Sequence, residues 1–142
     1  MIDEAGLSLW NQLSMSVYRR LLVVVAAIAA PVVCAAASNP DIEHGKTTFD
    51  TMCGVCHSVT PAGGPTEGPN LLGLVGREAA SEPEFPLYTD ALKASRITWS
   101  TETLDKFLAN PMAQVRGTSM PMLIQDDKTR ADVVAYLATL KK

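Results

Sequence analysis

The run Cys53-Gly54-Val55-Cys56-His57 constrains this chain more than any other stretch. Two thiols three residues apart, followed at once by an imidazole, form the attachment pattern of c-type haem. The spacing has a geometric reason. Residues three apart on a helical turn share a face, so both thiols can reach the two vinyl groups of one porphyrin. The next residue then brings its ring nitrogen under the iron. So short a pattern also has three other readings. A thioredoxin-like redox pair wants a βαβ setting, and none is visible. Structural zinc wants four Cys or His ligands, whereas only Cys34 and His44 lie upstream and none follows. A reactive thiol pair leaves His57 unexplained.

The 142 residues suit one domain, preceded by a leader. Arg19-Arg20, the apolar run Leu21–Ala30 and the small residues Ala35–Ala37 have the three-part layout of a secretory signal peptide. The expected boundary is 1–37 for the leader and 38–142 for the domain. The stretch before the arginines is long for an n-region, and a start at Met15 would give a signal of ordinary length. An uncleaved anchor is the alternative, although the run from Leu21 to Ala37 is at the lower limit for spanning a bilayer. Cys34 follows Pro31-Val32-Val33, which lacks the small residue a lipidation site wants, so its loss with the leader is the simpler reading.

The remaining part holds ten Lys/Arg and thirteen Asp/Glu, a formal charge of −3. It carries no basic stripe, which argues against nucleic-acid binding. Export suits a covalently held cofactor, which cannot diffuse away outside the cytoplasm.

Helices are expected in four places. Asn39-Pro40 reads as a cap and first turn for a helix running into the cysteine motif. Within it Gly45 costs about 1 kcal/mol against alanine, which suggests a close approach, and Phe49 shares its face. His44 reads as a solvated surface residue. Residues 58–70, rich in Pro and Gly, form a loop; Leu71, Leu72, Leu74 and Val75 supply apolar wall, and Glu78–Pro86 reads as a second surface loop. Tyr88–Lys93 can form a short helix. Ser100 caps a clearer one with Leu104, Phe107 and Leu108 on one side, ended by Asn110-Pro111. Met112–Gln125 reads as another loop. The last helix starts near Asp126-Asp127, presents Val133, Tyr136, Leu137 and Leu140, and has Lys141-Lys142 at its end, complementing its dipole. No segment alternates as a strand does. The expected class is all-α, with long loops that a large apolar cofactor makes tolerable.

A haem held by one histidine has a sixth position. His44 is badly placed for it, so the candidates are Met112, Met120 and Met122, each of which could equally be an adaptable core filler. A methionine there raises the reduction potential and blocks small ligands.

From about Pro40 to Leu140 the chain resembles the mitochondrial-type cytochromes c and their short, soluble, periplasmic bacterial relatives. The resemblance implies a small fold in which the N- and C-terminal helices cross at Gly45, Phe49 and Tyr136. One haem c would be attached through Cys53 and Cys56 with His57 as proximal ligand. Gly68-Pro69-Asn70-Leu71 resembles the family's proline loop, which makes the Pro69 carbonyl the acceptor from the proximal imidazole. Gly76-Arg77, Tyr88 and Trp99 resemble the family's donors to the haem propionates. Gly117-Thr118-Ser119-Met120 resembles the family's ligand loop, which implies Met120 as the sixth ligand and Thr118 among the haem contacts. Some positions depart from the pattern. Phe107 stands where many members have a Tyr bonded to the Met sulfur, Leu92 replaces a common Asn, and Pro121-Met122 replaces residues at the haem edge. Met112 and Ala113 replace lysines of the partner-docking ring.

The resemblance implies a periplasmic single-electron carrier, not an enzyme, acting as a monomer in a respiratory chain. Its transient partners would be a quinol-cytochrome c reductase, a terminal oxidase or a periplasmic dehydrogenase. The alternatives are the haem subunit of a larger dehydrogenase and a ligand-binding or peroxidase-like haem protein.

Overall fold

Helix α1 (Ile42–Thr48) begins where Asp41 caps it, its carboxylate accepting from the backbone N–H of Glu43 and His44 at 3.0 Å each. The cap is therefore Asp41 and not Asn39. The computed structural model describes residues 39–142. The expected leader at 1–37, the Met15 start and the alternatives for Cys34 lie outside the described residues. The described helices are α1, α2 (Asp90–Ser95), α3 (Thr101–Ala109), α4 (Pro111–Gln114) and α5 (Asp127–Thr139).

The first helix does not run evenly into the cysteine motif. It widens into one π-helical turn, Phe49–Cys53, closed by the Gly54 N–H on the Phe49 carbonyl at 2.8 Å. The Thr51 hydroxyl bonds back to the Thr47 and Thr48 carbonyls at 3.0 and 3.1 Å. A π turn inserts one residue into the helical spiral, which no apolar periodicity announces.

The principal packing is α1 against α5. Gly45 explains how close it is. A Cβ at this position would lie 2.0 Å from the Asp132 carbonyl oxygen and 3.1 Å from the Tyr136 Cβ. The close approach expected of Gly45 is thus the helix crossing itself, and Phe49 meets Tyr136 there with ring centroids 5.6 Å apart. Val133 and Leu137 are buried beside them, whereas Leu140 is half-buried and caps the helix end. Lys141 and Lys142 fall beyond that end, so no basic residue stands in the last turn of α5.

Two charged residues are buried in α5 where a charged residue is ordinarily assigned to the surface. Asp132 is fully buried and accepts from the Asp41 N–H (2.7 Å), His44 Nδ1 (2.8 Å) and Lys128 Nζ (2.8 Å). His44 is therefore half-exposed but tied to the crossing, not merely solvated. The Lys128 ammonium first, then the Asp41 N–H and His44, hold the Asp132 carboxyl down at about 2. Arg130 bonds Asp105 of α3 and Asp127 at 2.7 Å each, and donates to the Ile124 and Gln125 carbonyls at 2.9 and 3.3 Å. One side chain thus pins α3 and the end of the 115–126 segment to α5.

Ser100 caps α3 as expected, in a reciprocal capping box with Thr103. Asn110 ends α3 and also caps α4, with Pro111 in the first helical position. Part of the expected Met112–Gln125 loop is therefore a helical turn. Thr89 caps α2. Among the described residues there is no strand, only an isolated antiparallel bridge between Glu78 and Thr98. The stretch from Glu78 to Pro86 is not purely surface: Ala79, Glu82 and Phe85 are buried, and Phe85 meets Tyr88 edge-on at 4.9 Å. No described helix is long and apolar enough to cross a membrane.

Candidate haem site

The π turn delivers Cys53 into a tight bend in which the Cys56 and His57 N–H groups both bond the Cys53 carbonyl, at 3.0 and 2.9 Å. Burial, followed by the neighbouring Cys56, raises the free Cys53 thiol to about 11. Burial thus disfavours the Cys53 thiolate that a reactive thiol pair needs. Among the described residues no group of three or more His, Cys, Asp and Glu could hold a metal ion.

His57 is half-buried, and its Nδ1 lies 2.8 Å from the Pro69 carbonyl. A carbonyl only accepts, so Nδ1 carries the proton and Nε2 keeps its lone pair. Burial lowers the His57 pKa, against the opposing pull of the Pro69 carbonyl. The ring is held neutral, in the tautomer a metal ligand needs.

The loop under the ring is built for this contact. Gly68 donates to the Cys56 carbonyl at 2.9 Å, and Leu71 to that of Ser58 at 2.8 Å. A Cβ on Gly68 would stand 2.4 Å from His57 Cε1 and 2.7 Å from Nδ1, so only glycine lets the chain pass here. The Asn70 amide braces the loop, donating to the Thr60 and Gly63 carbonyls at 2.8 and 2.6 Å. Neither residue stood among the expected site residues, though both belong to the Gly-Pro-Asn-Leu run that pointed to Pro69.

Arg77 and Trp99 sit side by side because their backbones pair. The Trp99 N–H donates to the Arg77 carbonyl at 2.9 Å, and Gly76 donates to that of Trp99 at 2.8 Å. Trp99 is buried edge-on against Phe107 at 5.1 Å. Phe107 brings no hydroxyl to this wall. The Arg77 guanidinium donates through Nη1 to Glu82 at 2.5 Å and through Nη2 to the Asn70 carbonyl at 3.0 Å. Its Nε is shut off from solvent and has no partner among the described residues. The Tyr88 hydroxyl accepts from the Glu82 N–H at 3.3 Å, and its own proton remains free to donate. Glu82 was missed because its stretch reads as exposed.

The segment carrying Met120 and Met122 is fixed at both ends by buried residues. Val115 and Ile124 are in the core, and the Ile124 N–H bonds the Leu108 carbonyl at 2.8 Å. Thr118 is buried, and its hydroxyl accepts from the Met120 N–H at 3.4 Å. Met120 packs against the hydrophobic core, Met122 is half-buried, and Met112 is more than half exposed.

These residues fit a haem. His57 offers Nε2, Gly68 leaves the ring its space, and the orphaned Arg77 Nε and the free Tyr88 proton await acidic acceptors. A cavity of about 330 Å³ is lined by His57 together with Phe49, Asp50, Gly54, Val59 and Thr66, and none of Arg77, Tyr88, Trp99 or Met120 lines it.

Comparison with known proteins agrees. The family model described as Cytochrome c matches residues 42–141. The cytochrome c2 of Rhodomicrobium vannielii is 40% identical over 121 residues, 84% of this chain and 94% of that protein. The cytochrome c of Euglena viridis is 41% identical over 102 residues, 71% of this chain and 98% of that protein. The cytochrome c of Stellaria longipes is 40% identical over 98 residues, covering 68% and 90%. The chain therefore belongs to the cytochrome c family, all-α proteins that carry electrons on a covalently bound haem c.

Proposed function

We propose that this chain is a periplasmic single-electron carrier, with haem attached through Cys53 and Cys56 and ligated by His57 and Met120. The observation that carries the reading is the 2.8 Å bond from His57 Nδ1 to the Pro69 carbonyl, which leaves a neutral, oriented Nε2. Haem c supplies a one-electron ferrous/ferric couple. The protein's part is to keep both ligands in place through the cycle, so that little reorganises. Pinning of the Met120 segment by Thr118, Ile124 and Arg130 serves that end. Arg77, Tyr88 and Trp99 would face the haem carboxylates.

Redox partner proteins are expected at the haem edge, near Cys56 and Met122. Candidates are a quinol-cytochrome c reductase or periplasmic dehydrogenase upstream and a terminal oxidase downstream. Residues 38–142 are net acidic, and Met112 is an exposed neutral residue, so attraction to an acidic partner face would be weak. The apolar Phe107 gives one observation in favour of a ligand-binding protein, because no hydroxyl there restrains the Met120 sulfur.

The ligand variants test the reading. Met120→Ala should lower the reduction potential and open the iron to carbon monoxide, while Met122→Ala should do neither. Carbon monoxide binding in Met122→Ala with Met120→Ala unaffected would reverse the assignment.

A further inference from the structure

Glu82 is a carboxylate that the haem reading does not use. It is 9% exposed, and its nearest cation is Arg77, whose side chain is 17% exposed. Lys142 approaches the same carboxylate oxygen at 3.3 Å. The Glu82 backbone is held in turn by the Tyr88 hydroxyl. The one unpartnered nitrogen of the cluster is Arg77 Nε. The guanidinium thus has one carboxylate of its own and, in its Nε–H, a buried donor left for a second acid.

We propose that Glu82 sets the reduction potential of this protein by sharing Arg77 with the haem carboxylates. The inference rests on the reading that those carboxylates face Arg77. A negative charge near the haem favours ferric iron, which carries one more positive charge than ferrous. Glu82 neutralises part of the Arg77 charge that would otherwise favour the ferrous state. Water reaches neither partner well, so salt screens the effect little. The Glu78–Arg96 pair next along the chain is exposed and contributes a screened charge only. Lys142, more than half exposed, acts in the opposite sense and is sensitive to salt. Glu82 is a positioning residue for Arg77 and a charge in its own right.

The test is spectroelectrochemistry of the haem-loaded protein and its Glu82→Gln, Glu82→Asp and Lys142→Met variants at low and high ionic strength. Glu82→Gln should raise the midpoint potential equally at both salts, with the absorption spectrum unchanged, and Glu82→Asp should return it toward the parent. Lys142→Met should lower it at low salt. A Glu82→Gln potential equal to the parent's, with an intact spectrum, overturns the proposal and leaves the carrier reading standing. If Glu82→Gln does not fold, Glu82→Met, which keeps the length without the charge, decides: a raised potential supports the proposal, and an unchanged one overturns it. Carbon monoxide binding by the parent protein would instead strike the carrier reading itself.

Discussion

Gly45→Ala separates the account from simple helix propensity, because the two predict opposite signs. On propensity alone, alanine in the middle of α1 should stabilise by about 1 kcal/mol. The structure says otherwise. The new Cβ would sit 2.0 Å from the Asp132 carbonyl oxygen, where ordinary contact begins at 3.4 Å. The helices must therefore separate by roughly 1.4 Å, a difference of those two distances, at a cost of about 1–3 kcal/mol for overpacking alone. The same movement stretches the bonds that Asp132 accepts from the Asp41 N–H and His44, now 2.7 and 2.8 Å. Losing such bonds to a buried charge costs about 1.5–3 kcal/mol each. Partial relaxation and the propensity gain offset some of this, leaving a net destabilisation of about 3 kcal/mol. In a domain of this size that lowers the unfolding midpoint by about 10–20 °C. Thermal unfolding of the haem-loaded protein, followed by far-ultraviolet circular dichroism, measures it. A variant as stable as the parent, or more so, would falsify the crossing as described.

Three further perturbations probe the other contacts. Asp132 has its carboxyl lowered to about 2 from an ordinary 3.8, so the stability it contributes is complete above about pH 4 and lost as pH falls toward 2. Asp132→Asn should flatten acid unfolding across that window, and an unaltered acid limb would contradict the assignment. Gly68→Ala would place a Cβ 2.4 Å from His57 Cε1, so the ring must turn and its bond to Pro69 weaken; the expected result is a lower yield of low-spin haem protein, read by absorption. Arg130→Met removes the bonds to Asp105 and Asp127, both well exposed, and leaves the buried Ile124 carbonyl without its donor, which should cost about 1–3 kcal/mol in denaturant unfolding.

What could be read from the sequence was local. Cys53, Cys56, His57 and Pro69 lie within one short stretch, so their spacing and their loop chemistry carry the geometry between them. Gly45 stood out because an interior helical glycine needs a reason, although its contact, the Asp132 carbonyl, lies 87 positions away in the chain. The buried charges were hidden for the complementary reason. Asp132, Arg130 and Glu82 look like solvated residues until His44, Asp105 and Arg77 are brought to them by the fold. Asn39 and Asp41 are both competent caps. Asp41 prevails because its own N–H is already held by Asp132 across the crossing. The π turn leaves no trace in composition, since it changes the helical register without changing which residues are apolar.

The central claim is a haem iron held from both sides, by His57 and by Met120. Its most direct test is the absorption spectrum of the purified, haem-loaded protein, ferric and ferrous, with and without carbon monoxide. The account predicts covalently bound, low-spin haem whose ferrous spectrum is unaltered by carbon monoxide. Ready carbon monoxide binding would contradict it, leaving the iron open at the position we propose for Met120.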